Sequence, residues 1–191
     1  MKNWWLYIKF LWSSTNQHGV HSPFVFALVT KCFYNKEKLK IYENFNDDCK
    51  NIKKVKFLYR FVHYFEFESI FVPENINPNF NSAIVLAHQP NDIITYSSKV
   101  PKIKNFDKKK LIYFSNQSLK NTKEIQNIFE NCSNNSIVLI ENIRQNSQVF
   151  QQWKTLKSNL AIRVSIDTFD WGILCFRKEQ HKEHFIIRLS I

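Results

Sequence analysis

The sequence predicts an α/β protein built on one mixed sheet, mostly parallel, with an antiparallel meander at its C-terminal end. Three observations predict it. Residues 68–98 read as strand, helix and strand, a βαβ unit. Strand-like and helix-like segments go on alternating after it, as they do in doubly wound sheets. Near the end, two β segments are joined only by Thr168, Phe169 and Asp170, too short a link for a helical crossover, so that pair is antiparallel.

The elements follow in order. Trp4, Trp5, Ile8, Leu11 and Trp12 recur at helical spacing and predict a helix over Asn3–Ser14. Its tryptophans are expected to dock on the body of the domain, with a membrane surface as the alternative. Ser22-Pro23 has the form of an N-cap followed by the first helical residue, opening a helix that runs to about Phe33. Tyr42–Lys50 is polar and irregular. Val55, Leu58, Val62 and Phe65 mark an amphipathic helix over Ile52–Phe65. The βαβ unit then reads as strand Ser69–Val72, loop Pro73–Asn79, helix Asn81–His88 and strand Ile93–Tyr96. Strand Leu111–Phe114, helix Leu119–Asn131, strand Ser136–Ile140 and helix Ser147–Ser158 come next. Three β segments close the chain: Ala161–Asp167, Trp171–Arg177 and His184–Leu189. Only fourteen residues separate Tyr96 from Leu111, room for one crossover, so the sheet is expected to lack one edge strand.

Composition narrows the function. A chain of 191 residues suits one domain, here an N-terminal helical cap over 1–50 and an α/β body over 51–191. It has two glycines, Gly19 and Gly172, far apart. Phosphate-cradling loops need closely spaced glycines for positive φ and near approach of backbone to ligand, so a P-loop and a dinucleotide fingerprint are excluded. The formal net charge is +11, with basic clusters at Lys36–Lys40, Lys50–Lys56 and Lys99–Lys110. A solvated lysine-rich surface accounts for it; a nucleic-acid partner is the sharper alternative. The four cysteines lie far apart, which excludes a paired zinc motif and suits free thiols in a reducing cytoplasm. No secretory leader or transmembrane run is expected from the sequence, because Trp4–Trp12 is short and interrupted by Lys9. His18 and His21 form an HxxH pair across a glycine turn; packing of a loop is the plain expectation, and lidding a substrate site the other.

Three stretches carry a resemblance: STNQHGVHSPFVFALVTKCFY near the N-terminus, LYRFVHYFEFESI over Leu58–Ile70, and VSIDTFDWGILCFRKEQHKEHFIIRL over Val164–Leu189. Together they resemble a bacterial family of class I S-adenosylmethionine-dependent methyltransferases, O-methyltransferase-like in character. The resemblance implies a Rossmann-like sheet with its last strand inserted antiparallel, and S-adenosylmethionine as cofactor if the protein is active.

The sequence departs from that family at the strand ends. Where the family resembles E-L-G-x-x-x-G, this chain has Val72-Pro73-Glu74-Asn75-Ile76-Asn77, leaving Glu74 and Asn75 as vestigial cofactor positions. Ser97 stands where the family has a ribose-binding acid, and Ser115, followed by Asn116 and Gln117, where it has an aspartate. A serine hydroxyl lacks the charge and bidentate reach of a carboxylate. Glu141 and Asn142 are the candidate oxygen ligands for a divalent cation. His18, His21 and Glu141 are the candidate bases.

Three functions follow. The first is a methyltransferase-fold protein with weak or lost cofactor binding and catalysis, acting through a protein partner or as a homo-oligomer. The second is an active methyltransferase with an atypical pocket. The third is a basic nucleic-acid-binding module.

Overall fold

The amphipathic helix expected over Ile52–Phe65 leads the chain into its sheet. In the computed structural model, which describes residues 4–37, 39–45, 51–88, 93–97, 108–115, 119 and 122–189, it is preceded by α1 (Trp4–Ser13) and α2 (Pro23–Leu28) and forms α3 (Ile52–Phe65). The chain continues through β1 (Ser69–Pro73), α4 (Pro78–Ala87), β2 (Ile93–Ser97), β3 (Lys110–Phe114), α5 (Thr122–Phe129), β4 (Ser136–Glu141), α6 (Ser147–Ser158), β5 (Val164–Asp167), β6 (Trp171–Cys175) and β7 (Glu183–Ile186).

Local chemistry sets several boundaries. The Ser22 hydroxyl accepts from the Val25 N–H at the start of α2, with Pro23 in the first turn. That helix does not reach Phe33 as a regular α-helix; it widens into a π turn over Val29–Phe33. α3 ends where Glu66 turns left-handed, φ 50°, and donates its N–H to the Val62 carbonyl. Asn146 caps α6 by accepting from Val149 N–H at 2.8 Å. α4 begins at Pro78, three residues before the expected Asn81, because Asn77 is its N-cap and Pro78 its first residue. The loop after β1 is therefore only Glu74–Asn77.

The seven strands lie in the order β2-β1-β3-β4-β6-β5-β7. β2, β1, β3 and β4 are mutually parallel, and β6 runs antiparallel between β4 and β5. This is the arrangement of a class I methyltransferase fold. The meander needs one correction in detail. Its antiparallel section is β4–β6–β5, and β7 does not zigzag back beside β6. It passes to the outer side of β5 and pairs with it in parallel, Val164 opposite Glu183 and Asp167 opposite Ile186. Seven residues, Phe176–Lys182, link β6 to β7, and they suffice because β6 delivers the chain to the end of the sheet where β5 starts. At the other edge β2 pairs with β1, and no strand lies beyond it among the described residues; residues 98–107, on which the missing-strand expectation rests, are outside them.

Helices cover both faces. Leu111, Tyr113, Ile137 and Leu139 point toward α2, α3 and α4, in a core that includes Phe57, Phe61, Phe80 and Trp171. Their neighbours Ile112, Phe114, Val138 and Ile140 point toward α5 and α6, with Phe129, Trp153 and Leu156. The two-residue period of β3 and β4 thus feeds both cores, and both strands are apolar on both faces as central parallel strands must be.

The glycine in β6 has a packing reason. A Cβ on Gly172 would lie 2.7 Å and 2.8 Å from ring carbons of Trp153 and 2.9 Å from Ile143 Cγ2. Cys32 and Cys175 are free and buried, and burial pushes each thiol up to about 12. No helix among the described residues is long and apolar enough to cross a membrane.

Candidate functional site

Parallel strands deliver their carboxyl ends to one edge of the sheet, where ligands of open α/β folds bind. Glu74 and Asn75 follow β1, Ser97 ends β2, Ser115 follows β3, and Glu141 and Asn142 end and follow β4. These strand-end residues lie along one edge of the sheet.

At the β1–β2 end the main chain closes on itself. Pro73 pairs with Ser97 in the last position of the ladder, and the Glu74 N–H donates to the Ser97 carbonyl at 3.2 Å. The Ile76 N–H donates back to the Pro73 carbonyl at 3.1 Å, forming a tight turn, and the Asn77 side chain accepts from Asn79 N–H. The positive-φ residues among those described are Glu66, Asn142 and Phe169, so none lies in this loop. The conformations that a glycine-rich cofactor loop uses to bring backbone close to its ligand are missing from it. Glu74 and Asn75 are exposed.

At the β3–β4 end the side chains form a connected polar chain. Tyr113 Oη donates to Glu141 Oε2 at 2.7 Å, and Asn142 Nδ2 donates to Glu141 Oε1 at 2.6 Å. Asn142 stands at φ 51°, in the left-handed region that asparagine tolerates better than most residues. Lys54 Nζ donates to Asn142 Oδ1 and pairs with Asp170 Oδ1 at 3.3 Å. Burial raises the Glu141 carboxyl above its ordinary value, opposed by the Tyr113 hydrogen bond and the Lys54 charge. Burial, followed by the charge and hydrogen bond of Glu141, raises the Tyr113 phenol well above its own. Both Glu141 oxygens and the Asn142 amide oxygen therefore accept from groups of the chain itself. The cation beside the expected metal ligands is the Lys54 ammonium. Among the described residues, no group of three or more His, Cys, Asp and Glu side chains could hold a metal ion.

The histidines are not part of this arrangement. His18 lies in a short 3-10 turn, Gln17–Gly19, exposed, with its ring 3.4 Å from the Gln17 amide. Its neighbour Thr15 bridges Ile187 just beyond β7. Three strand spacings separate β7 from β4 and five separate it from β1, roughly 14 Å and 24 Å at about 4.8 Å per strand. His21 is exposed. The His18 turn thus lies by the β7 edge of the sheet, apart from the ends of β1 and β4.

Sequence reasoning missed the groups that the structure does assemble. Lys54 comes from α3 and meets Asn142 across 88 positions; no local spacing announces such a contact. A cavity of about 200 Å³ opens beside Lys54 and Asp170, walled by Tyr7, Phe10, Phe169 and Trp171 and flanked by Lys53 and Arg188. Next to it, Arg144 makes a two-pronged ion pair with Asp167, Nη1 to Oδ1 at 2.5 Å and Nη2 to Oδ2 at 2.6 Å. The guanidinium carbon lies 5.1 Å, 4.8 Å and 5.1 Å from the ring centres of Phe10, Phe150 and Phe169. Asp167 also accepts from the Phe169 N–H at 2.9 Å and so holds Phe169 at φ 75°.

No protein-family model matches the sequence, and no curated protein does.

Proposed function

We propose that this chain is a methyltransferase-fold protein whose cofactor cleft is closed, and that it works by binding rather than by methyl transfer. The observation that carries the reading is the β1–α4 loop. A cofactor seated at this edge would need the backbone of Glu74–Asn77 to open toward it and the end of β2 to offer a carboxylate. Instead the loop turns tightly without a positive φ, and its first N–H is joined to the Ser97 carbonyl. Serine occupies the position where the resembled family has its ribose acid.

The β3–β4 end supports the same reading. A divalent cation shared with an acceptor substrate would require free carboxylate oxygens. Here Glu141 is engaged by Tyr113 and Asn142, and Lys54 supplies positive charge from within the chain. An ammonium on a tethered side chain neutralises the nearby Asp170 carboxylate without an exchangeable ligand position.

The test is isothermal titration with S-adenosylmethionine and S-adenosylhomocysteine, with and without magnesium, paired with melting temperature. The expected outcome is no heat and no shift at high ligand concentration. Binding at micromolar concentration would overturn the closed-cleft reading and return the protein to the methyltransferases.

A further inference from the structure

Three of the five tryptophans sit on α1, and all three face solvent: Trp4 is 68% exposed, Trp5 78% and Trp12 89%. The other two, Trp153 and Trp171, are fully buried. The expectation that the α1 tryptophans dock on the body is therefore overturned. The helix is docked, but by its opposite face: Phe10 is buried, and Tyr7 and Phe10 meet the Phe169 ring at 4.9 Å and 5.3 Å. Arg144, fixed by Asp167, lies against Phe10 and locks that seat. With the inner face occupied, the indoles are held outward, and Leu6 flanks them at 44% exposure.

Trp5, Lys9 and Trp12 stand at i, i+4 and i+7, so they form one stripe along the outer face. Contiguous apolar surface of this kind on a folded chain marks an interaction site, and charge selects the occupant. The chain carries a net +11. Lys9 is exposed within the stripe, and Lys53 and Arg188, both exposed, border the cavity that the inner residues Tyr7 and Phe10 line. A second copy would bring two strongly basic chains together and draw a lysine into an apolar contact. A bilayer with anionic headgroups accommodates both features. Indoles favour the boundary between headgroup and acyl chain, and lysines reach past them to the phosphates.

We propose that α1 is an interfacial anchor that seats this protein on an anionic membrane surface, with Trp4, Trp5 and Trp12 entering the interface and Lys9 lying among the headgroups. It lies along the surface and does not span it. The inference is independent of whether the cofactor cleft is closed.

The full chain would be mixed with vesicles of phosphatidylcholine alone and with phosphatidylglycerol added, and followed by co-sedimentation and tryptophan emission. Because Trp153 and Trp171 are buried throughout, a change in emission reports on α1. The expected result is a blue shift, protection from acrylamide and co-sedimentation with the anionic vesicles, all weakened by high salt. The double variant Trp5→Ser/Trp12→Ser should partition on the order of tenfold less or worse, with its melting temperature unchanged because both side chains are exposed in the parent. Absence of binding to anionic vesicles would overturn the proposal, and so would undiminished binding by the double variant. A concentration-dependent dimer in light scattering, abolished by the same substitutions, would assign the face to a second copy and equally overturn it.

Discussion

Asp167→Asn separates charge from shape at the pair that seats α1. Asparagine keeps an oxygen to accept from the Phe169 N–H, now 2.9 Å from Asp167 Oδ1. It loses the negative charge and presents an N–H₂ where Arg144 Nη2 now finds Oδ2 at 2.6 Å. The side chains of Arg144 and Asp167 are 11% and 3% exposed, so water cannot fully replace the lost partner. Breaking a buried ion pair by removing one member costs about 3–5 kcal/mol. Three aromatic rings remain around the guanidinium, each worth ~0.5–1 kcal/mol or more to a cation, so the lower end, about 3 kcal/mol, is expected here. For a chain of this length that corresponds to a melting temperature lower by roughly 6–12 °C. Urea denaturation followed by circular dichroism at neutral pH measures the free energy, and hydrogen exchange of the α1 amides reads the local effect, which should exceed that in β3 and β4. Removing the cation as well, in Arg144→Met/Asp167→Asn, should cost less than the single change, since no buried charge is stranded and the Phe169 N–H keeps its acceptor. A loss under about 1 kcal/mol for Asp167→Asn would refute the reasoning, because the pair would then behave as a surface ion pair.

Three further outcomes are expected. Lys54→Ala strands the Asn142 amide oxygen and weakens the neutralisation of Asp170, costing about 1–3 kcal/mol; calcium or manganese should restore part of the lost melting temperature in the variant and none in the parent, and equal effects on both would contradict the role given to Lys54. Glu141 has a folded-state pKa raised above its ordinary value near 4.5, so the stability it contributes is fully present below that value and is lost as pH rises through the raised one. Glu141→Gln should therefore show a shallower fall in stability from about pH 4.5 upward, and melting curves across that window with parallel slopes would count against the assignment. Gly172→Ala drives a methyl to within 3 Å of Trp153 and Ile143, both 0% exposed, and should cost about 1–3 kcal/mol by overpacking; an unchanged denaturation midpoint would mean that the indole can move.

The elements most legible in the sequence were those whose signals are local. Helix Ile52–Phe65 and helix Ser147–Ser158 fall at the limits their apolar periodicity and flanking residues predict. The antiparallel turn at Thr168-Phe169-Asp170 followed from a count of residues, since three cannot build a crossover. The start of α4 was misplaced because Asn77-Pro78 reads equally well as loop or as cap and first turn, and only the backbone decides between them. β7 was legible as a strand but not in its neighbour, because a strand's partner depends on which end of the sheet its link leaves from.

The sequence by itself determined the α/β class, the alternation that fills two cores, and the absence of glycine from the loop after β1. These are properties of composition and of spacing along a chain, and a short range of interactions enforces them. Tertiary structure alone decided that Lys54 comes to Asn142 and Asp170, that Arg144 and Asp167 close across 23 positions under the ring of Phe10, and that α1 turns its tryptophans outward. The periodicity of α1 is apolar nearly all round, so its own residues do not choose which face is buried. That choice falls to Phe169 and Arg144, more than a hundred residues away, whose side chains meet Tyr7 and Phe10.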